Sequence, residues 1–463
     1  MSAPPSASRK NTTLRIRIIC GVFIFVAVIL LARLYFVQVV DGERYAQDAM
    51  GQYTADKAEV IRRGSIFFTA KDDAHVAAAV MQAGFRLAIN PKLLVDPESA
   101  FAKLSAVVSI DRDDYFKSAA KKDDPYEEVG FRLDEESARA IRALKIPGVI
   151  LAADAWRFYP GERLAAQTLG FVGYPADGTQ KTGVYGLEKE YNDTLALDEN
   201  SLYVNPFAQI FTNLEAAIST DPAAHQGSII TAIEPTVQRQ LEATLDGTMS
   251  TYNPRLSGGI IMDPHTGEIV AIALRPVFDP NRYNTVADPS VYDNQLVSGR
   301  YELGSIMKPL TMAAAIDSGA VTPATTYNDT GCVDRSTYTI CNFDHKARGV
   351  IPVQQILNES LNVGATFLAD TMGHPVLTKY MRMFGLGEKT GIDLPAESPG
   401  LLAPVKDWSR INLVTASFGQ GVAVTPLQLV SAYATLANDG VFMRPYVVQE
   451  VLNADGKVVR ANS

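Results

Sequence analysis

The sequence predicts an α+β protein that follows an N-terminal membrane segment, and three stretches of the chain carry this prediction. Residues 18–40 are strongly apolar, residues 226–275 contain runs typical of β-strands, and helical patterns dominate the residues that follow. Strands followed by helices are typical of a domain in which helices pack on a sheet. A chain of 463 residues is also long for one domain, so we expect two or three.

The composition argues against two classes of protein. The formal net charge is −9, from 42 basic and 51 acidic residues. This charge disfavours a nucleic-acid binder, whose affinity depends on neutralising phosphates. No two histidines have the spacing of a metal-ligand pair, so we expect no metal site and no cofactor. The histidines are His75, His225, His265, His345 and His374.

The apolar run at 18–40 is long enough to cross a bilayer, which takes about 20 residues. Four basic residues precede it, and no acidic residue occurs before Asp41. We therefore expect a single-pass anchor in the cytoplasmic (inner) membrane, with residues 1–17 in the cytoplasm and the remainder outside. One alternative is a cleaved signal peptide, but residues 34–37 are bulky where a cleavage site needs small ones. The other is a buried core helix, which the one-sided flanking charges disfavour.

Two domains are expected beyond the anchor. Residues 41–225 mix short strand-like runs with charged helical stretches such as 134–144, and the part near residues 161–186 is rich in turn-forming glycines. Little in residues 41–225 resembles a catalytic motif. The pattern changes near residue 226, and we place the second domain at 226–463.

The second domain begins with strand patterns and continues with helical ones. Residues 227–233 read as a strand, residues 235–245 as a helix, and residues 258–273 as a hairpin around the turn at 263–267. The turn contains Asp263, Pro264 and Gly267, which favour reversal of the chain. The later helical patterns cover residues 305–317, 353–372, 375–384 and 426–437.

The strongest chemical signal is Ser305-x-x-Lys308, followed by an almost wholly apolar run. At the start of a helix, residues three apart lie on one face, so the two side chains meet. A serine hydroxyl needs a base within hydrogen-bond reach, and a lysine can serve if burial disfavours its charged form. Ser118-x-x-Lys121 has the same spacing but lies in a charged stretch, and we interpret that copy as surface.

Two further features carry weaker signals. Ser360 and Asn362 form a Ser-x-Asn pair, in which the serine can relay a proton and the asparagine can hold a substrate amide or the lysine. The alternative is an ordinary helix cap. Cys332 and Cys341 lie in a polar, Thr-rich stretch, and their spacing suits a hairpin closed by a disulfide. Two unpaired thiols are the equal alternative.

Together these residues resemble the class B penicillin-binding proteins, in which Ser-x-x-Lys, Ser-x-Asn and Lys-Thr-Gly are the active-site motifs. The resemblance extends, with gaps, from about residue 30 to the end of the chain. Other segments that carry it are Arg33-Leu34-Tyr35, Arg63-Gly64-Ser65-Ile66, Gly186-Leu187-Glu188, the stretch from Asp263 to Ala271, and Phe418-Gly419-Gln420-Gly421.

The resemblance implies a serine D,D-transpeptidase that cross-links peptidoglycan. It also implies a transmembrane helix, an elongated pedestal domain of the dimerisation type and a β-lactamase-like transpeptidase domain in which helices pack on an antiparallel sheet. Ser305 would be acylated, with Lys308 as its base and Ser360 and Asn362 as the second motif. The substrate would be the D-Ala-D-Ala end of a stem peptide, and β-lactams would bind. The implied partners are a polytopic membrane glycosyltransferase and divisome proteins, because the Ser-Leu-Asn form resembles the septal branch. The implied substrate-binding residues are Gly304, Gly419, Gln420 and Gly421.

The sequence departs from the family at the third motif. Lys-Thr-Gly is expected on a strand after Arg444-Pro445, but the sequence reaches Ser463 without it. Lys181-Thr182-Gly183 precedes the nucleophile, and Lys389-Thr390-Gly391 lies in a Gly-rich segment that we interpret as structural. We therefore expect a transpeptidase domain that lacks its C-terminal part, in a piece of a longer protein. The alternative function is an inactive membrane scaffold of the cell-wall machinery.

Overall fold

The computed structural model describes residues 30, 35, 63–175, 178, 181–196, 227–335, 338–402, 410–453 and 455–462. The anchor predicted at 18–40 lies outside these residues, except for Leu30 and Tyr35. Among the helices within these ranges, none has the length and apolarity to cross a membrane. The chain forms two compact units, one containing residues 83–156 and the other residues 61–82 and 157–463.

Strands and helices are interspersed along the chain. The strands are β1 (Ile66–Thr69), β2 (His75–Ile89), β3 (Glu127–Leu133), β4 (Val149–Phe158), β5 (Val172–Gly173), β6 (Thr182–Gly183), β7 (Gly227–Thr231), β8 (Ser257–Met262), β9 (Ile269–Arg275), β10 (Thr326–Asp329), β11 (Cys332–Arg335), β12 (Tyr338–Cys341), β13 (Gly349–Pro352), β14 (Val448–Asn453) and β15 (Val458–Ala461). The α-helices are α1 (Pro97–Ser105), α2 (Arg112–Ala119), α3 (Glu135–Ala143), α4 (Ala166–Leu169), α5 (Gly186–Glu190), α6 (Asn192–Leu195), α7 (Pro235–Tyr252), α8 (Gln295–Ser298), α9 (Lys308–Asp317), α10 (Gln354–Asn358), α11 (Asn362–Met383), α12 (Arg410–Ala416) and α13 (Pro426–Ala437). Short 3-10 helices span Pro280–Thr285, Pro289–Tyr292 and Gly304–Met307.

The smaller unit packs three helices near strands β3 and β4. Each helix begins after an aspartate (Asp96, Asp111 or Asp134) whose side chain accepts a backbone N–H of the first turn. Such caps satisfy donors that have no partner inside the helix. The apolar faces of the helices bury a core that contains Leu104, Tyr115, Leu133 and Ile141 among others.

The larger unit contains a sheet in the order β15, β14, β7, β1 and the first part of β2. β7 runs parallel to β1, and its other neighbour β14 is antiparallel, so the sheet is mixed where an antiparallel one was expected. The predicted strand at 227–233 is therefore present, and it joins residues near 66 to residues near 450. Ile66 and Ile229 are both fully buried in the core beneath this sheet.

A buried ion cluster lies in the same unit. The Glu188 carboxylate accepts hydrogen bonds from Arg63 Nε at 2.5 Å and from Arg157 Nε at 2.6 Å, and the Tyr159 hydroxyl donates to it at 3.2 Å. Glu188 is fully buried, and burial alone would raise its pKa. The charges of Arg157 and Arg63 outweigh this effect and lower the pKa of Glu188 below its ordinary value.

The predicted hairpin at 258–273 is confirmed. β8 and β9 pair in antiparallel register on either side of the turn, and helix α7 packs on them. Gln238 of α7 is fully buried and exchanges two hydrogen bonds with the backbone of Ile272 in β9, at 2.9 Å each. This contact fixes the helix on the sheet, because a buried amide needs its partners.

One of the two helices predicted near the site has different boundaries. The helix expected over 353–372 is interrupted, because α10 ends at Asn358 and α11 begins at Asn362. The interruption contains Ser360, whose φ of +54° is incompatible with a right-handed helix. The break expected near 373 is present within the range of α11, because the non-helical backbone of Gly373 (φ +73°, ψ +169°) separates two helical segments there.

Candidate active site

Ser305 lies in a 3-10 turn that leads directly into helix α9. The turn covers Gly304–Met307, and Lys308 is the first residue of α9. Residues three apart eclipse each other in a 3-10 helix, which brings Lys308 beneath Ser305. Gly304 has a φ of +66°, a conformation that favours glycine. Ser305 is exposed, so a substrate can reach its hydroxyl.

The Lys308 amine joins the two predicted motifs. Its Nζ lies 3.1 Å from Ser305 Oγ and 2.9 Å from Ser360 Oγ, and it donates to the Ser360 carbonyl at 2.6 Å. Lys308 is only 2% exposed, and burial lowers its pKa to about 8. At pH 7, one unit below this pKa, about a tenth of the amine is neutral and able to accept a proton, and this fraction rises with pH.

The second motif approaches the lysine from the interruption between α10 and α11. The left-handed backbone at Ser360 turns both its carbonyl and its hydroxyl towards Lys308. Asn362 begins α11, and its Nδ2 donates to the carbonyl of Cys341 at 3.0 Å. The contacts of the lysine amine are thus with the two serines, and the asparagine is held by a different segment.

The predicted glycine-rich loop packs against the serine turn. Gly304 N donates to the carbonyl of Gly419 at 3.1 Å. A Cβ on Gly419 would lie 2.2 Å from the Gly304 carbonyl oxygen, so only glycine fits there. Gly421 N donates to the Glu302 carboxylate at 3.2 Å, and Gln420 is exposed beside it. Of the four residues predicted to bind substrate, Gly304 is therefore part of the turn that carries Ser305, Gly419 bonds to that turn, and Gly421 bonds to Glu302 just before it.

Three side chains that sequence reasoning did not identify also hold this turn. Tyr433 of α13 donates to the Ile306 carbonyl at 2.6 Å. Thr311 donates to the Ser417 carbonyl at 2.8 Å, and Glu302 accepts from the glycine-rich loop. None of these residues has a sequence signal of its own, because each acts on backbone atoms that are distant in the chain.

Cys332 and Cys341 form a disulfide across the hairpin of β11 and β12, in which they are directly paired. His345 lies beside the bond, with its Nδ1 3.7 Å from the Cys332 sulfur. With Cys332 and Cys341 it forms the one His/Cys/Asp/Glu cluster of metal-binding size among the described residues. Sulfurs joined in a disulfide are not the thiolates that metals bind. The disulfide therefore serves to close the hairpin.

The other motif copies lie in different surroundings. Ser118 is in α2 of the smaller unit, and Lys121 pairs with Glu127 rather than with a serine. In Lys181-Thr182-Gly183, the threonine hydroxyl donates to Asn192. In Lys389-Thr390-Gly391, the Thr390 and Gly391 N–H groups donate to Glu397 at 2.5 and 3.1 Å, which closes a turn.

The arrangement at Ser305 is suited to acyl transfer. A neutral amine between two hydroxyls can take a proton from the Ser305 hydroxyl as it attacks a carbonyl. It can then return that proton to a leaving amine through the Ser360 hydroxyl. Lys308 lies at the N-terminal end of α9, where the helix dipole favours the negative charge that develops on the attacked carbonyl.

Family models and curated relatives match this chain. The penicillin binding protein transpeptidase domain matches residues 258–462, and the penicillin-binding protein dimerisation domain matches residues 61–205. Stage V sporulation protein D of Bacillus subtilis is 30% identical over 95% of this chain and 68% of its own length. The peptidoglycan D,D-transpeptidase FtsI of Buchnera aphidicola is 26% identical over 93% of this chain and 74% of its own length.

A solved structure has the same fold. Penicillin Binding Protein 2X from Streptococcus thermophilus aligns with a TM-score of 0.66 at 22% identity, over 87% of this chain. The alignment spans 62% of that protein's chain. The FtsI protein of Escherichia coli K12 is 27% identical over 69% of this chain and 52% of its own length. The matches to the two family models and to the Bacillus relative show that the chain belongs to the class B penicillin-binding proteins.

Proposed function

We propose that this protein is a peptidoglycan D,D-transpeptidase that acts through a serine acyl-enzyme in septal cell-wall synthesis. The observation that carries the proposal is the Lys308 amine held between the hydroxyls of Ser305 and Ser360, at 3.1 and 2.9 Å. Membership of a transpeptidase family and the name of the FtsI relatives support it. β-Lactams would acylate the same serine.

The proposed reaction has two halves. Ser305 Oγ attacks the carbonyl of the penultimate D-Ala while Lys308 Nζ takes its proton, and the C–N bond to the terminal D-Ala then breaks. The leaving amine receives that proton through Ser360, which gives free D-Ala and an ester on Ser305. An amine from a neighbouring stem peptide attacks the ester, loses a proton to Lys308 and forms the cross-link. The Ser305 oxygen takes back a proton as it leaves.

The remaining site residues have proposed supporting roles. Asn362 presents its side chain to the substrate amide from the start of α11. Gly304 and the loop of Gly419, Gln420 and Gly421 line the approach to Ser305. Support for these roles comes from the hydrogen bonds that join the loop to the turn of the nucleophile.

The proposed organisation follows the sequence. Residues 1–17 form a cytoplasmic tail, 18–40 a single-pass anchor in the cytoplasmic (inner) membrane, 41–225 the pedestal and 226–463 the transpeptidase domain. The basic residues before the apolar run support this orientation. A polytopic glycosyltransferase and divisome proteins are the proposed partners, because cross-linking needs newly made glycan strands as its substrate.

The test supplies a thioester depsipeptide that mimics the D-Ala-D-Ala terminus, together with free D-alanine as acceptor. We expect release of the thiol and a product that carries the acceptor in place of the leaving group. Ser305→Ala should abolish both, and Ser118→Ala, which changes the chance copy of the motif, should abolish neither. Thiol release that persists unchanged in Ser305→Ala would overturn the proposal. Absence of turnover by the folded wild-type chain would favour the scaffold alternative.

A further inference from the structure

The loop that carries the second motif is held from outside by the residues Cys341 and Asn342. The Cys341 carbonyl accepts a hydrogen bond from the Asn362 amide at 3.0 Å. The Asn342 Oδ1 accepts one from the backbone N–H of Val363 at 3.1 Å. These two adjacent residues therefore hold two consecutive residues at the start of α11. The disulfide closes the hairpin on their N-terminal side.

Asn342 replaces a missing helix cap. Leu361 occupies the N-cap position of α11, and its side chain makes no cap hydrogen bond. The first N–H groups of a helix have no partner inside it and need an acceptor from elsewhere. Asn342 supplies one from a segment that is distant in the chain, so the position of the helix start depends on where Asn342 is held.

Asn342 is itself firmly anchored. It is 1% exposed, and its Nδ2 donates to both carboxylate oxygens of Asp329 at 3.0 Å. Its backbone N–H donates to the Gly331 carbonyl at 2.9 Å. Asp329 is equally buried and also accepts from the Gly331 N–H. A buried network in which each polar group has a partner is rigid and costly to disturb.

The anchored helix start matters for the lysine through Ser360. Ser360 holds Lys308 Nζ with its carbonyl and its hydroxyl, and it does so in a left-handed backbone conformation. Such a conformation is unfavourable for a residue other than glycine and persists only where its surroundings enforce it. The residues that flank Ser360 are the end of α10 and the start of α11, which Asn342 holds.

We propose that Asn342, paired with Asp329, is a positioning residue for the contact between Lys308 and Ser360. This inference rests on the proposed transpeptidase function. Without the Asn342 amide, the first turn of α11 loses its acceptor and Ser360 relaxes from its left-handed conformation. Water then reaches the Lys308 amine, which favours its protonated form. Lys308 then no longer acts as a base, because its solvated amine is protonated, although the residue itself is unchanged.

The groups around Lys308 allow its pKa to be interpreted as a measure of its burial. Its Nζ hydrogen bonds in the described part of the chain go to serine oxygens and not to a carboxylate. On the loop beside Ser360, Glu359 is paired with Arg348 at 3.0 Å, and Asp329 faces Asn342. Burial is the cause of the low pKa of Lys308, so a change in that pKa reports a change in burial.

The test compares Asn342→Ala with Asn358→Ala, which removes an exposed amide at the end of α10. The first measurement is the second-order rate constant for acylation by a fluorescent penicillin from pH 6 to 10. The second is the titration of Lys308 followed by NMR of ¹³C-lysine, assigned with Lys308→Met. For Asn342→Ala we expect acylation at pH 7 to fall roughly 10-fold and to recover as the pH rises, because a tenfold change follows each unit of pKa. The pKa of Lys308 should move from about 8 towards 10.5.

A double variant that exchanges the residues at positions 329 and 342 tests whether the acylation rate can be restored. Asn342→Asp alone places two carboxylates face to face and should also slow acylation. Asp329→Asn combined with Asn342→Asp restores an amide–carboxylate pair and an acceptor for Val363, and should regain most of the rate. An Asn342→Ala protein with wild-type acylation would overturn the inference. So would a loss that is equal at all pH values with the Lys308 titration unchanged. If the wild type is not acylated at all, the proposed function fails, and the NMR titration alone decides the inference.

Discussion

Replacing Lys308 by methionine is expected to slow acylation of Ser305 by a β-lactam about 100- to 10,000-fold, the usual contribution of a general base. Methionine is unbranched and has similar length, so it fills the buried space of the lysine stem without an amine. The Ser305 hydroxyl then has no group to accept its proton. The measurement is the second-order rate constant for acylation by a fluorescent penicillin.

The pH dependence of the same rate supports the assignment. Neutral Lys308 is the active form, and its pKa is lowered to about 8. Wild-type acylation should therefore rise with pH up to about 8 and level off above it, whereas Lys308→Met should lack this step. Lys379→Met, which removes an exposed lysine on α11, is the matched control and should behave as wild type. A Lys308→Met protein that retains the wild-type rate and pH step would rule out the lysine as the base.

Replacing Glu188 by glutamine is expected to destabilise the protein by about 3–5 kcal/mol, the cost of breaking a buried ion pair by removing one partner. The change leaves Arg63 and Arg157 charged and buried without a carboxylate. Glu190→Gln is the matched control, because Glu190 is exposed on the same helix. The measurement is the urea midpoint of unfolding for the two variants and the wild type. Equal midpoints for Glu188→Gln and Glu190→Gln would contradict a stabilising role for this ion cluster.

The lowered pKa of Glu188 also predicts how the stability of the folded protein depends on pH. It is lower in the folded protein than its ordinary value of 4.5, so the unfolded chain binds the proton more tightly. The stabilising contribution of Glu188 is therefore complete above about pH 4.5 and is lost as the pH falls through the folded pKa. In Glu188→Gln, this part of the acid destabilisation should be absent.

The sequence predicted the parts of this molecule that depend on local patterns. The hairpin of β8 and β9 follows from two apolar runs that flank the turn between Asp263 and Gly267, and the meeting of Ser305 with Lys308 follows from their spacing. The contact of Ser360 with Lys308 was not predicted, because Asn362 was the residue expected to hold the lysine or a substrate amide, and its amide instead donates to Cys341. The α+β fold class agrees with the structure, and the membrane helix remains a prediction because its residues lie outside the described ranges.

What the sequence could not predict depends on contacts between distant residues. The interruption at Ser360 was missed because residues 353–372 keep a helical pattern, and the left-handed backbone there is enforced by tertiary contacts. Asn342 was not identified because its role is to cap a helix in another segment. The pairing of β7 with both β1 and β14 links residues that no periodicity relates. Such features depend on tertiary packing, and local sequence propensity does not predict them.

The most direct test of the central claim is the intact mass of the full chain after incubation with benzylpenicillin. We predict a single penicilloyl adduct on the wild type and on Ser118→Ala, none on Ser305→Ala, and an adduct peptide that contains Ser305. An adduct that persists on Ser305→Ala, or a folded wild-type protein that forms none, would contradict the assignment of Ser305 as the acylated nucleophile.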